Sequence, residues 1–337
     1  MKDIYILGIE TSCDETSCAI VKNGTTEIAT IISTQIDVHK KYGGVVPEIA
    51  SRNHIVNITM VIEETFKKAN MTIKDISAIA VTYGPGLSGS LLIGLEAAKT
   101  LSFIHNIPLV PVHHIAGHIY ANNLVSPLKF PLIALVVSGG HTDLILMKNH
   151  LKFTKLGGTL DDAVGECYDK VARVIGIEYP GGPVIDKLAK TGRHSYNLPT
   201  PLNDSSYNFS FSGLKSAVIN LTHNLTQKDE IVNKEDLAAS FQEVVVDTIS
   251  KKTFHAIKEY NIKNLVVAGG VSANSALREK LQVKARENDI NLTVPTLKYC
   301  TDNATMIGAV GYYYYINNKI SDLSVNVKSN EELKDVI

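Results

Sequence analysis

The sequence predicts an α/β protein made of two similar halves. Two segments read as strand, polar turn and strand: residues 4–24, whose turn is TSCDETS, and residues 131–149, whose turn is SGGHT. After each of them, apolar stretches with helical spacing alternate with β-branched runs, which is the pattern of a sheet flanked by helices. The repeated order indicates an internal duplication in which each half opens on a hairpin.

The first half, residues 1–128, continues with a helix over Ser51–Asn70, where apolar residues recur every three or four positions. The run DISAIAVTYG then predicts a strand, and the glycine-rich turn GPGLSG leads into a helix over Leu91–His105. The strand IPLVPV precedes the helical segment HHIAGHIYANNL. We therefore expect strands and helices to alternate through this half.

The second half, residues 129–337, repeats this alternation with longer helices. We expect helices over Asp161–Ile177, ended by YPGGP, and over Glu235–Tyr260, with a loop across Asn203–Ser212. The run NLVVAGGVSAN predicts a strand, a glycine turn and the start of a helix. We expect an apolar helix over Asp302–Asn317 to pack back on the first half. The Lys-bearing tail after Ile320 is expected to be poorly ordered.

Composition restricts the function classes. The 337 residues are 45% hydrophobic and 20% charged, which excludes a disordered, collagenous or coiled-coil chain. A net charge of -1 excludes a general polyanion binder, so any nucleic-acid contact needs a local patch or a partner. The four cysteines form no CxxC pair, which argues against a disulfide framework and a zinc ribbon. No signal-peptide core or membrane span is evident, and we expect a cytoplasmic protein.

Glycine-rich turns follow apolar strands at three places in the second half. They are Ser138-Gly139-Gly140, Gly181-Gly182 and Gly269-Gly270. Backbone N–H groups without side chains beside them can approach a phosphate closely, and a helix starting just after adds its dipole. Each turn is equally compatible with a plain tight connection. No GxxxxGK[ST] or strand-borne GxGxxG string is present, which disfavours P-loop and Rossmann nucleotide sites.

His114 and His118 stand four residues apart, which places both imidazoles on one face of a helix, as a shared metal ion requires. With 11 histidines in the chain, such a pair is weak evidence alone. A metalloprotease of the HExxH type needs Glu after the first His, but this position is Ile115, so that class is disfavoured. Asp302 is a candidate third ligand, although an acid at the start of a helix is also a common N-cap.

Acidic residues crowd two further places. Glu10, Asp14 and Glu15 surround the first hairpin turn, where they could bind Mg²⁺, orient a nucleophile or simply be solvated. Asp169 lies on an acidic face of the helix expected after the second hairpin, together with Asp162, and this face could bind ribose hydroxyls.

Taken together, long segments of the chain resemble the tRNA threonylcarbamoyladenosine transferases, formerly described as O-sialoglycoprotein endopeptidases. They span residues 8–308, and YGGVVPEIASRNH and GGVSAN look like the bacterial and organellar branch of this family. The matching strings are GIETSCDETSCAIV, YGGVVPEIASRNH, TYGPGLSGSLLIG, PVHHIAGH, LVVSGGHTDLIL, DDAVGECYDKVAR, YPGGP, FSFSGLKSA, AGGVSAN and CTDNATMIG.

The resemblance implies an actin-like, hexokinase-like ATPase fold with two duplicated RNase-H-like halves around a nucleotide cleft. It also implies one divalent metal ion, Fe²⁺ or Zn²⁺, on residues matching His114, His118 and Asp302, with Mg²⁺ accompanying the nucleotide. Asp14 and Glu15 match acids needed for transfer. Contacts to the nucleotide and the acyl group are implied for Val136, Val137, Ser138, Gly139, Gly140, Asp169, Gly182, Asp186, Gly269, Gly270 and Asn274.

The implied reaction moves a threonylcarbamoyl group from threonylcarbamoyl-AMP to N6 of adenosine 37 in tRNAs that read codons beginning with A, and AMP leaves. Implied partners are tRNA, a smaller actin-like paralogue, a P-loop ATPase and the enzyme that makes the adenylate. A sugar or acyl-phosphate kinase of the same superfamily is the alternative, but it gives no reason for two histidines and an acid to converge. A non-catalytic paralogue should lack these three residues.

Overall fold

The computed structural model describes residues 3–336. Residues 1, 2 and 337, which the two predicted halves include, lie outside the described residues. The chain divides into two units, and their bounds differ from a single division near residue 128. The first unit comprises Met1–Phe130, Met147–Thr154 and Pro295–Ile337, and the second comprises Pro131–Leu146 and Lys155–Val294. The C-terminal region therefore groups with the first unit, although it follows the second along the chain.

Strands and helices alternate as the sequence predicts. The strands are β1 (Tyr5–Glu10), β2 (Glu15–Lys22), β3 (Thr26–Thr34), β4 (Ala78–Gly84), β5 (Leu109–His113), β6 (Leu132–Val137), β7 (Thr142–Asn149), β8 (Lys152–Gly158), β9 (Asn264–Ala268) and β10 (Asn291–Thr293). The α-helices are α1 (Ile36–Lys40), α2 (Pro47–Ala69), α3 (Ser88–His105), α4 (His114–Tyr120), α5 (Val164–Val174), α6 (Gly181–Ala189), α7 (Ser212–Gln227), α8 (Lys234–Glu259), α9 (Ser275–Glu287) and α10 (Ala304–Ile316).

The two sheets have the same strand order. In the first it is β3-β2-β1-β4-β5, and in the second, read from the other end, it is β8-β7-β6-β9-β10. In the first sheet β1 pairs antiparallel with β2 and parallel with β4, and in the second β6 pairs parallel with β9. Each sheet therefore consists of a three-stranded meander extended by two parallel strands, which confirms the predicted duplication and the α/β class.

The first sheet is covered on both faces, which explains why β1 reads as a continuous apolar run. Helices α2 and α3 contribute apolar side chains to a core that includes Leu7 and Ile9. Helix α10 packs against β1, β2 and β4, and it approaches closely because glycines face each other. A Cβ at Gly8 would collide with the Ala304 carbonyl, and one at Gly308 would meet the Val21 side chain at 2.7 Å.

The second unit has its own apolar core, in which Ile133, Leu135 and Val137 of β6 pack with α5, α7, α8 and α9. Helix α8 is its central element, because it buries side chains from Leu237 to Ile257. Across residues 3–336, every helix is too short or too polar to cross a membrane.

Several strands and helices of the structure are not predicted from the sequence. Strands β3, β8 and β10 were not predicted, nor were helices α6 and α7. The YPGGP segment ends one helix as expected, but it also opens α6, whose first turn tolerates Pro183 because the N–H that proline lacks would have no helical partner there. Helix α7 buries only Leu214 and Val218, so its apolar periodicity is weak.

The prediction of a poorly ordered tail is wrong. After α10 the chain continues along the first unit, where Val325 and Val327 pack against the apolar core. Its backbone forms hydrogen bonds with the first unit at several points, including Ser321 N–H to the Leu109 carbonyl at 2.9 Å and Lys328 N–H to the Tyr83 carbonyl at 2.8 Å. A polar composition hid these contacts, because backbone hydrogen bonds need no particular side chain.

One aromatic cluster in the first unit contains a half-buried histidine. The His150 ring stacks on Tyr313 with centroids 3.9 Å apart, and its Nδ1 lies 3.0 Å from the Tyr120 hydroxyl. That hydroxyl accepts the Leu151 N–H, and its own proton is available for Nδ1 of a neutral His150 ring. Burial lowers the pKa of His150 to about 4.

This cluster predicts a pH-dependent stability. The unfolded-state pKa of histidine is about 6.5. Between that pH and about 4, His150 binds a proton in the unfolded chain but not in the folded one. Its contribution to stability is therefore fully present above about pH 6.5 and falls as the pH drops towards 4. His150→Gln keeps an acceptor for Tyr120 and should flatten this fall in urea titrations at pH 7 and pH 5. His105→Gln removes an exposed histidine as the control. Equal pH slopes for the parent and His150→Gln would contradict the assignment.

Candidate metal and nucleotide site

Strand β5 turns directly into α4, the short helix that carries both candidate imidazoles. The His113 side chain caps this helix by accepting the Ile115 N–H at 3.1 Å. His114 and His118 then follow on one face, with ring centroids 4.6 Å apart and planes at 82°. Both are buried, at 7% and 1% exposure. The predicted i, i+4 geometry is therefore present in a site that excludes most water.

Asp302 lies beside these imidazoles and is not the cap of the helix that follows it. The side chain of Asn303 accepts the Met306 N–H at 3.0 Å and so caps α10. Oδ1 of Asp302 lies 3.0 Å from Nε2 of His118 and 3.6 Å from Nε2 of His114. The alternative role of N-cap is thus taken by the neighbouring residue, and the carboxylate faces the two rings.

The three side chains fit a divalent metal ion. One ligand atom from each lies within 4.8 Å of the others, close to the spacing around an ion with bonds of about 2 Å. Within the part of the chain that the structure describes, neither ring nitrogen of His118 has a hydrogen-bond partner, so the short contact from its Nε2 to Asp302 lacks hydrogen-bond geometry. A buried nitrogen without a partner costs free energy unless something else binds its lone pair. A metal ion supplies that partner.

Glu10 stands behind His114 at the end of β1 and is fully buried. Its Oε2 lies 3.2 Å from Nδ1 of His114 and accepts the Thr82 hydroxyl, while Oε1 accepts the Ser12 N–H. A carboxylate on one ring nitrogen orients the other towards a metal ion and makes it a stronger ligand. From the sequence, Glu10 is expected only to be part of an acidic turn, although an acid that ends a buried apolar strand is the signal that identifies this role.

The charges around His114 compensate one another. Burial acts to lower the pKa of His114, but the negative charges of Asp302 and Glu10 outweigh it and raise the pKa to about 9. Burial acts to raise the pKa of Glu10, and the facing His114 holds it below its ordinary value. The two carboxylates therefore attract a positive charge to this place. A metal ion replaces the imidazolium proton in that role.

Asp14 and Glu15 also lie in this unit, at the turn into β2. Asp14 is buried, and its carbonyl accepts the Gln35 N–H at 3.1 Å. Burial, followed by the negative charges of Asp14 and Asp302, raises the pKa of Glu15 well above its ordinary value. A carboxyl group of this kind takes up a proton more readily than an exposed one, as a general base near neutral pH requires.

In the second unit the glycine turns after β6 and β9 lie side by side. A Cβ at Gly269 would collide with the Val137 carbonyl at the end of β6, after Val136. The turn after β6 is closed by Ser138, whose N–H donates to the His141 carbonyl at 2.8 Å. Positions where an added Cβ would meet no atom within 4 Å border both turns: Gly139, Gly140 and Gly270. The backbone here is open to a ligand, as a phosphate-binding turn requires.

The remaining predicted nucleotide residues are joined by hydrogen bonds at the ends of helices. Oδ1 of Asp169 accepts the N–H groups of Gly181 and Gly182 at 2.8 and 3.3 Å, which caps α6. Burial raises the pKa of Asp169. Asp186 accepts the N–H and hydroxyl of Ser275, and Asn274 caps α9 by accepting the Leu277 N–H at 2.9 Å.

Gln242 of α8 connects two of these residues, and sequence analysis missed it. Its Nε2 donates to Asp186 at 3.2 Å, and its Oε1 accepts Nδ2 of Asn274 at 2.7 Å. Because the Asp186 carboxylate can only accept hydrogen bonds, the Gln242 amide must turn its Nε2 towards it and its Oε1 towards Asn274. The side-chain amides of Gln242 and Asn274 therefore each have one orientation. No motif identifies a glutamine in the middle of a long helix, so only the fold reveals this role.

Comparison with known proteins gives one consistent result. The family model described as tRNA N6-adenosine threonylcarbamoyltransferase matches residues 26–309. Curated relatives of that name from Staphylococcus haemolyticus (strain JCSC1435) and Staphylococcus aureus (strain Newman) are 56% and 54% identical over 335 residues. In both cases the match covers 99% of this chain and 98% of the relative.

Solved structures share the fold at low identity. Full-length HypF in its phosphate- and nucleotide-bound form gives a TM-score of 0.62 at 16% identity, covering 93% of this chain and 46% of that chain. Component A of (R)-2-hydroxyglutaryl-CoA dehydratase from Acidaminococcus fermentans gives a TM-score of 0.53 at 17% identity, and the match covers 94% of this chain and 98% of that chain. These matches support the actin-like, hexokinase-like fold.

The site geometry predicts that His118→Ala weakens Zn²⁺ binding. The substitution removes a ligand from a buried site, so the loss should exceed the 10- to 100-fold that is typical of outer partners. Competition with a chromophoric chelator measures the dissociation constant. His223→Ala removes an exposed histidine from α7 and serves as the control. Unchanged affinity in a folded His118→Ala protein would exclude this residue as a ligand.

Proposed function

Because this chain belongs to the family of tRNA N6-adenosine threonylcarbamoyltransferases, we propose that it transfers the threonylcarbamoyl group from threonylcarbamoyl-adenylate to N6 of adenosine 37 in tRNAs that read codons beginning with A. The chain is an acyltransferase that acts in tRNA modification. A phosphotransferase of the same fold is not favoured, because relatives of this identity carry the transferase name.

The observation that carries the mechanism is the convergence of His114, His118 and Asp302 within 4.8 Å. The amine N6 of adenine is a poor nucleophile, so transfer requires that negative charge on the acyl oxygen and the leaving phosphate be stabilised. A divalent ion, Fe²⁺ or Zn²⁺, keeps open coordination positions on three protein ligands and supplies that stabilisation when bound. Glu10 holds the His114 ring in the orientation this requires.

Asp14 and Glu15 act on the proton of the attacking amine in this proposal. N6 must lose a proton as the new bond to the acyl carbon forms. Glu15 is suited to accept it because its raised pKa brings its proton affinity closer to neutral pH. Asp14 contributes negative charge beside it, which is one cause of that shift.

The second unit binds the adenylate in this proposal. The backbone from Val136 at the end of β6 to Gly140 faces the phosphate and acyl group in this proposal, because among the described residues an added Cβ at either of its two glycines would meet no atom within 4 Å. Gly269 and Gly270 border the same nucleotide. Asp169, Gly182 and Asp186 contact the ribose and Asn274 the adenine side, with Mg²⁺ accompanying the phosphate.

The proposed partners follow from the reaction. The protein acts on tRNA in the cytoplasm, with a separate enzyme supplying threonylcarbamoyl-AMP. The other proposed protein partners are a smaller actin-like paralogue and a P-loop ATPase. A net charge of -1 supports shared tRNA binding, because phosphate contacts require Lys and Arg in excess of what this chain offers overall. Exposed apolar side chains on α2, including Ile55 and Val56, support a protein partner on that helix.

Reconstituted transfer tests the function. The assay combines threonine, bicarbonate, ATP, the adenylate-forming enzyme, the partners and unmodified tRNA, followed by mass analysis of the nucleosides. Glu15→Gln preserves shape but cannot accept the proton, so kcat should fall by about 100-fold or more. Glu48→Gln, on an exposed turn of α2, is the control. No threonylcarbamoyladenosine with the parent protein would refute the function, whereas full activity of Glu15→Gln would refute only its role as base.

Nucleotide binding tests the role of the second unit. Asn274→Ser retains an oxygen that can cap α9 but loses the amide that donates to Gln242 and that, in this proposal, lies on the adenine side, so helix stability should persist while AMP affinity falls about tenfold. Calorimetry with AMP measures the affinity, and Asn288→Ser at the exposed end of α9 is the control. Equal AMP affinity in the parent and Asn274→Ser would remove Asn274 from the site.

A further inference from the structure

The segment that follows α10 returns to the helix that carries the metal ligands. We call residues 328–331 the C-terminal strap. Its backbone accepts or donates hydrogen bonds at three residues: Lys328 N–H to the Tyr83 carbonyl at 2.8 Å, the Ser329 carbonyl from Gly86 N–H at 3.1 Å, and the Glu331 carbonyl from the His113 ring at 3.0 Å. The strap therefore contacts both β4 and the start of α4.

The first route from the strap to the metal ligands passes through His113. Because Nδ1 of His113 accepts the Ile115 N–H, the ring proton must be on Nε2, which donates it to the Glu331 carbonyl. The ring is held at both ends and is only 3% exposed. It is the N-cap of α4, so its position determines where the helix starts and where the next residue, His114, lies.

The second route passes through the turn GPG, residues 84–86. The strap crosses this turn so closely that a Cβ at Gly84 would collide with the Lys328 carbonyl. The residue after the turn, Leu87, donates its N–H to the Ser12 carbonyl at 2.8 Å. The Ser12 hydroxyl in turn lies 3.1 Å from Nδ1 of His114. Glycine at position 84 is therefore required by the strap, and the turn it forms adjoins a contact of the metal ligand.

We propose that the C-terminal strap is a structural part of the metal centre, which positions His114 through the His113 cap and through the GPG turn. The inference rests on the proposed metal-binding role of His114, His118 and Asp302. Both routes end on the same imidazole, so losing the strap should move or loosen this ligand while the apolar core of the unit stays intact. His113 is a positioning residue in this arrangement, because it acts through the helix it caps.

Two shortened chains test the proposal. A chain ending at Val327 lacks the strap, whereas a chain ending at Leu333 keeps it and loses the later contacts of Lys334, Asp335 and Val336. We expect Zn²⁺ to bind the Val327 chain about 10- to 100-fold more weakly than the Leu333 chain, as for the loss of an outer partner of a metal ligand. The absorption bands of bound Co²⁺ should shift as well, since a purely structural loss would leave them unchanged. Equal Zn²⁺ affinities and identical Co²⁺ spectra would overturn the proposal.

A full-length variant keeps the test valid if the Val327 chain does not fold. His113→Asn retains a capping oxygen for Ile115 but is too short to reach the Glu331 carbonyl, and it should weaken Zn²⁺ binding about tenfold. Glu331→Ala keeps that carbonyl and is the matched control. Parent-like affinity of His113→Asn would overturn the strap's role. If His118→Ala in the Leu333 chain also bound Zn²⁺ like its parent, the proposed metal site itself would fail.

Discussion

The first unit depends on the convergence of two imidazoles and a carboxylate at one point, an arrangement that is unfavourable in the protein alone. Among residues 3–336, neither ring nitrogen of the buried His118 has a hydrogen-bond partner, although Oδ1 of Asp302 lies 3.0 Å from its Nε2. Buried polar groups are normally paired, so the surrounding structure must hold the His118 ring in place. The close packing of α10 on β1 through Gly8 and Gly308 brings Asp302 to α4 and supplies that constraint.

The duplicated sheets place different chemistry at equivalent positions. In the first unit the connection from β1 to β2 carries Asp14, and β1 ends on the buried Glu10. In the second unit the equivalent connection, from β6 to β7, carries Gly139 and Gly140, where an added Cβ would meet nothing. One connection thus concentrates negative charge, which suits a cation, and the other presents bare backbone N–H groups, which suit an anion. The same topology therefore suits a cation in one unit and an anion in the other.

The sequence predicted the parts of this structure that leave a periodic or repeated signal. The two hairpins, the apolar strands and the spacing of His114 and His118 are local patterns, and the fold class follows from their order. Elements without such a signal were missed: α7 buries few side chains, and the tail is held by backbone hydrogen bonds. The contacts of Gln242 with Asp186 and Asn274 join residues of two helices and the cap of a third, and no spacing along the chain encodes them.

Capping explains how the candidate metal ligands of the first unit stay available. An acid or histidine at the start of a helix tends to be used by the helix itself, since free N–H groups there need acceptors. In this protein a neighbouring residue takes that role: Asn303 caps α10 beside Asp302, and His113 caps α4 beside His114. One side chain accepts the free N–H groups at the start of the helix, and the adjacent side chain faces the site. This adjacency is why the sequence leaves two roles open for Asp302, metal ligand and helix cap. The ligand and the cap are neighbours in the chain, and only the folded backbone shows which residue has which role.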